Sequence, residues 1–176
     1  RTTRRGRATE RLAFRAETKR LLDIVTNSLY EDKEVYLREL VSNASDALEK
    51  ARHAALTENA GDEEELAIKI ATDEGEGKVL VVSDNGVGMT REELMENLGT
   101  IARSGSKAFL EGLDADADAA SNIIGKFGVG FYASFMASDK VEVISNAGAR
   151  GDGKAWNWSS TGDGEFTIEE ATESDE

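Results

Sequence analysis

Residues 33–56 place Leu37, Leu40, Val41, Ala44 and Leu48 at the spacing of one helical face, with neither glycine nor proline among them. A helix of that length has to lay its apolar face on another layer, and the residues after it supply one. Leu66, Ile68 and Ile70 alternate as in a half-buried strand. Residues 79–82 form a second apolar run beyond a Glu-Gly-Glu-Gly turn, so the pair reads as an antiparallel hairpin. Further strands are predicted at 140–145, 155–159 and 165–168, separated by glycine-rich turns. Leu21, Leu22, Val25 and Leu29 predict an amphipathic helix over 17–30. Thr90 and Glu93 form a T-x-x-E capping box that starts a helix running to about Leu98. Another helix is expected over 131–136. Helices come first, strands follow with helices inserted, and no segment repeats. That order predicts an α+β fold, a two-layer sandwich in which a mostly antiparallel twisted sheet is covered on one face by helices.

At 176 residues, one domain is expected over 1–176. Its first twelve residues read as a basic arm. Arg1, Arg4, Arg5 and Arg7 stand in a seven-residue stretch without acid, a composition shared by organellar transit sequences, cloning remnants and disordered arms. Elsewhere acid dominates, and the net charge of −14 argues against general nucleic-acid binding, where phosphate neutralisation drives affinity. No apolar run approaches the roughly 18–20 residues that span a bilayer. The absence of cysteine excludes disulfides, thiolate metal sites and cysteine nucleophiles, and His53 alone cannot build a multi-histidine site. The acidic runs at 62–65, at Asp114, Asp116 and Asp118, and at 169–176 read as solvated loops and a tail. Residues 99–126, rich in Ser, Gly and Ala, read as a long mobile loop with a short helical stretch near 107–110.

Three constellations carry chemistry. On the long helix, Glu39, Asn43, Asp46 and Lys50 fall within roughly a 60° arc opposite the apolar face. They read as a solvated stripe, or as a site in which a carboxylate one turn from an amide supplies a base and a hard oxygen donor for Mg²⁺. Two poor helix formers in mid-helix, Asn43 and Asp46, ask for the second reading. Asp84-Asn85-Gly86-Val87-Gly88-Met89 follows an apolar strand. It reads as an ordinary turn, or as an acceptor for an exocyclic amine with glycines that let a ligand approach the backbone. Gly125-Lys126-Phe127-Gly128-Val129-Gly130-Phe131-Tyr132 opens a helix with exposed N–H groups suited to anions. It is neither a Walker A motif nor a dinucleotide fingerprint.

In this order the three resemble the motifs of the ATPase superfamily that includes DNA gyrase, heat shock protein 90, histidine kinases and mismatch-repair ATPases. The likeness to the heat shock protein 90 family runs from about residue 17 to 168. It is carried by Ser28-Leu-Tyr-Glu-Asp-Lys-Glu-Val-Tyr-Leu-Arg-Glu-Leu-Val-Ser-Asn-Ala-Ser-Asp-Ala-Leu, by Asn97-Leu-Gly-Thr-Ile-Ala-Arg-Ser-Gly-Ser-Lys and by Ile124-Gly-Lys-Phe-Gly-Val-Gly-Phe-Tyr. The wording around Ala16–Val25 and Ile101–Lys107 most resembles the mitochondrial member, which implies a mitochondrial location, with a cytoplasmic one as the alternative.

The resemblance implies a domain that binds ATP or ADP with Mg²⁺ and drives the conformational cycle of a chaperone folding client proteins. Glu39 would be the general base. Asn43 would hold Mg²⁺ and phosphates, supported by Asp46, with Ala47 and Lys50 also in the nucleotide site. Asp84 would bind the adenine amine beside Gly88 and Met89. Asn97 would face ribose and phosphates, and Phe131 would pack beside the nucleotide. Gly128, Val129 and Gly130 would offer N–H groups to phosphates. Residues 99–126 would be a mobile nucleotide lid. The full-length protein would be a homodimer and this piece a monomer, with no nucleic acid or membrane as partner.

Two departures qualify this. Arg103 stands where cytosolic relatives usually have lysine. The family's domain also continues into a further strand carrying a threonine that orients the aspartate, so its final strands are expected beyond residue 176. A γ-phosphate arginine is implied in a following domain, so the isolated chain is expected to bind nucleotide but turn it over slowly. A histidine kinase would need a phosphoacceptor helix pair, whereas His53 lies after the Asn43 motif. The charge and the 97–107 wording oppose a topoisomerase or mismatch-repair ATPase. A non-hydrolysing nucleotide-binding module is the remaining alternative.

Overall fold

The computed structural model describes residues 22–24, 34–58, 65–73, 75, 78–101 and 128–172. Residues 22–24 are helical. The rest of the expected 17–30 helix, the basic arm, residues 102–126 of the expected lid with Arg103, and residues 173–176 lie outside the described residues.

The uninterrupted helical pattern forms α1 (Val35–Glu58), capped at its start by the Leu37 N–H donating to the Glu34 carbonyl at 3.2 Å. Ala44 is buried and Leu37, Leu40, Val41 and Leu48 are half-buried. α1 packs on a hairpin and on a short helix later in the chain. The hairpin is β1 (Ile68–Asp73) and β2 (Val79–Asp84), antiparallel with Ile68 opposite Asp84 and Asp73 opposite Val79. Leu80 and Val82 are half-buried, but Ile70, Val79 and Val81 are exposed. The hairpin forms a sheet of two strands among the described residues.

α2 (Arg91–Gly99) starts at the expected capping box: Thr90 Oγ1 accepts from the Glu93 N–H, and Glu93 Oε2 accepts from the Thr90 N–H. β3 (Val141–Asn146), β4 (Ala155–Ser160) and β5 (Thr167–Glu170) form an antiparallel meander. Val143 lies opposite Trp158, which lies opposite Ile168, so alternation brings these side chains to one face. There Leu94 and Leu98 of α2 close over Trp158, which is 2 % exposed. Burying one such large side chain contributes on the order of 1.5–3 kcal/mol.

The helix expected over 131–136 is present and of the 3₁₀ type, Gly130–Met136. Its bonds run three residues back, as from the Tyr132 N–H to the Val129 carbonyl at 3.2 Å. Three-residue turns align Tyr132 with Phe135, and both pack on one cluster with Leu22. Phe131 meets Trp158 edge-on at 5.5 Å, and the Tyr132 hydroxyl donates to the Leu98 carbonyl at 2.7 Å. No helix among the described residues is long and apolar enough to cross a membrane.

Candidate functional site

The polar stripe on α1 is not a solvated face. Asp46 is 2 % exposed, as deeply buried as the aromatic core, whereas Asn43 is exposed and Glu39 and Lys50 are half-buried. A buried carboxylate needs a charge partner, and the Lys50 ammonium one turn along interacts with it. Burial holds Lys50 below the ordinary lysine range, against the pull of Asp46 and Glu93.

Asp84 ends β2, and its Oδ1 accepts from the Gly86 N–H at 2.9 Å, closing an Asx turn. Among the described residues no hydrogen bond reaches its Oδ2. The side chain is open to solvent, yet the protein around it desolvates the carboxyl enough to push it above the ordinary aspartate range, against the Gly86 hydrogen bond. Asn85 faces backward. Its amide donates to the Glu65 carbonyl at 2.9 Å and its oxygen accepts from the Ala67 N–H at 2.7 Å, tying the turn to the residues before β1.

The next residues lie on α1 and β3. The Val87 N–H donates to the Ala47 carbonyl at 3.1 Å, and the Met89 N–H to Ser145 Oγ at 2.9 Å. Gly88 has φ +61°, and a Cβ there would collide with the Asn146 carbonyl, so only glycine fits. Met89 then packs on the Trp158 cluster.

At the other end of α1, Glu39 Oε2 lies against Gly130, where a Cβ would occupy the same space. The exposed Arg38 guanidinium stands 3.5 Å from the other Glu39 oxygen. Gly128 (φ +66°) and Val129 lead into the 3₁₀ helix, and Phe131 joins Met89 at the edge of the Trp158 cluster. α1 therefore touches both glycine motifs, one through Ala47 and one through Glu39. Asn97 is half-buried on α2, beside Leu98.

Sequence reasoning missed Arg150. It sits in a short 3₁₀ turn, Gly148–Arg150, and its guanidinium grips Glu93 together with the Val87 and Gly88 carbonyls. A lone arginine in a glycine-rich turn carries no periodic signal. Glu93 is lowered below the ordinary glutamate range: burial acts to raise it, but the Arg150 hydrogen bond, the Thr90 N–H and the Arg150 and Lys50 charges outweigh that.

Residues 19–175 match the family model described as histidine kinase-, DNA gyrase B-, and HSP90-like ATPase. The chain is 55 % identical over 159 residues to "Heat shock protein 75 kDa, mitochondrial" of Rattus norvegicus, covering 90 % of this chain and 22 % of that protein. It is 51 % identical over 165 residues to "Chaperone protein HtpG" of Rhodospirillum rubrum, covering 92 % and 26 %. It is 49 % identical over 167 residues to "Endoplasmin homolog" of Hordeum vulgare, covering 93 % and 20 %. The chain thus spans about a quarter of the length of these relatives.

Proposed function

Because this chain belongs to the histidine kinase-, DNA gyrase B-, and HSP90-like ATPase family, we propose that it is the ATP-binding and ATP-hydrolysing domain of a molecular chaperone. The observation that carries the reading is that one helix, α1, meets both the 84–89 loop and Gly130. A ligand lying along α1 would have the Asp84 carboxylate at one end and Glu39 with the 128–131 backbone at the other. Asp84 suits an exocyclic amine, since Oδ1 is spent on its own turn and Oδ2 is left over. Gly88 and Met89 line that end, and Asn97 is assigned to ribose and phosphates. At the other end the residues 128–130 offer N–H groups to phosphates, and Phe131 flanks the nucleotide.

In catalysis Glu39 would accept a proton from the attacking water. Its carboxylate is held by contact with Gly130 and steadied by Arg38. Asn43, exposed one turn away, would give an amide oxygen to Mg²⁺, with the Asp46–Lys50 pair behind it and Ala47 completing that wall. Among the described residues no group of three or more His, Cys, Asp or Glu side chains is placed to hold a metal. Mg²⁺ would accordingly arrive with the nucleotide, taking most of its ligands from phosphate and water. It would neutralise charge on the phosphates.

The whole protein's action on client proteins and its dimerisation are part of the same proposal, supported by the chaperone names of the relatives. The compartment reading is mitochondrial. A relative so named is 55 % identical, and the Arg-rich first seven residues fit a transit sequence. A bacterial HtpG of Nitratidesulfovibrio vulgaris is equally identical, and supports the cytoplasmic alternative.

Calorimetry of ADP with Mg²⁺ tests the site. Asp84→Asn is expected to weaken ADP by about 100-fold or more, because a site built to read an amine is left mispaired. Glu39→Ala should keep ADP affinity and lose turnover. Parental ADP affinity in a folded Asp84→Asn variant overturns the assignment of the adenine end, and parental turnover in Glu39→Ala overturns the base.

A further inference from the structure

The Arg150 guanidinium collects four acceptors. Nη1 donates to Glu93 Oε1 at 3.0 Å, and Nη2 lies 3.2 Å from Glu93 Oε2, 3.2 Å from the Val87 carbonyl and 2.9 Å from the Gly88 carbonyl. Glu93 Oε2 also accepts from the Thr90 N–H at 2.8 Å, so the fork closes onto the α2 capping box. An exposed ion pair alone is worth little. Here the same cation also fixes two consecutive carbonyls, one of them on the glycine at φ +61°. A glycine pivots more freely than any other residue, and both its neighbours are anchored elsewhere, Val87 to α1 and Met89 to β3. Lysine presents its donors from one point and cannot reproduce a planar fork across carboxylate and carbonyls.

We propose that Arg150 is a positioning residue that locks the 84–89 loop in the conformation able to receive the adenine end of a nucleotide. This rests on the nucleotide reading above. Arg150 does not touch the ligand; it acts by holding Val87 and Gly88, and through them the turn that aims Asp84.

The test compares the chain with Arg150→Met and Arg150→Lys. In Arg150→Met the ADP affinity should fall about tenfold, the size of one charge-assisted contact. KM for ATP should rise with kcat unchanged, amide exchange at Val87 and Met89 should quicken more than exchange in β3–β5, and the unfolding midpoint should fall only by the share due to the lost Glu93 pair. Arg150→Lys should recover part of the affinity. Parental affinity and parental loop exchange in Arg150→Met overturn the proposal. So does an affinity loss in which exchange quickens as much in β3–β5 as at Val87 and Met89, which would make Arg150 a general stabiliser. If the parent chain itself fails to bind ADP, the nucleotide reading falls, and loop exchange still decides whether Arg150 locks the turn.

Discussion

The two glycine motifs meet the same helix by opposite means. The 84–89 loop is tied by hydrogen bonds at nearly every residue, to α1, to the residues before β1, to β3 and to Arg150, and these bonds lie at or near solvent. The 128–131 segment is placed by packing: Phe131 edge-on to Trp158, the 3₁₀ turns beneath it, and Glu39 pressed on Gly130. Hydrogen bonds set a direction, as a recognition element needs. Packing sets a position and couples it to the stability of the whole core.

The sharpest way to break this contrast is Trp158→Ala. It should cost about 3–5 kcal/mol by denaturant unfolding, since it empties the one site where α2, the meander and Phe131 converge. If that loss spares the core and disturbs only the 84–89 loop, the division between packed and bonded ends is wrong.

A paired substitution sharpens it. Gly88→Ala imposes a left-handed conformation and a clash with Asn146, and should cost roughly 1–3 kcal/mol while weakening ADP. Gly130→Ala displaces the Glu39 carboxylate, so turnover should fall while ADP affinity is retained. Calorimetry beside steady-state turnover reads both, and the same kinetic pattern from the two variants would erase the distinction.

The smallest effect is in acid. Glu93 is lowered from 4.5 on folding, so its stabilisation is complete above the unfolded value and is lost as pH falls through the lower folded one. Asp84 is raised from 3.8, so its contribution runs the other way, present below 3.8 and lost as pH rises through the raised value. Glu93→Gln should therefore flatten the acid loss of stability, and Asp84→Asn should steepen it slightly. Urea midpoints from pH 3 to pH 6 check both signs.

Much of this was legible from sequence because it rests on local rules. The α1 run, the hairpin alternation and the Thr90–Glu93 box each specify their element within a few residues, and each formed where expected. The polar stripe was visible as a choice between solvated face and site, but the burial of Asp46 is a tertiary outcome that helix periodicity does not encode. The 131–136 segment reads as a helix whose type stays open, because apolar spacing cannot separate three from 3.6 residues per turn over so short a length. Arg150 was out of reach for a different reason: two of its acceptors are backbone carbonyls, which every residue possesses.

The raised Asp84 carboxyl has a thermodynamic consequence for the ligand it is proposed to bind. The ionised carboxylate accepts an amine N–H more strongly than the protonated acid, so binding favours the deprotonated form and releases protons whenever the empty site is partly protonated. In mildly acidic solution the heat of ADP binding should then depend on the ionisation enthalpy of the buffer, with a slope that counts the released protons. The share of that slope due to Asp84 should vanish as pH rises well above the aspartate range, and in Asp84→Asn it should be missing at every pH.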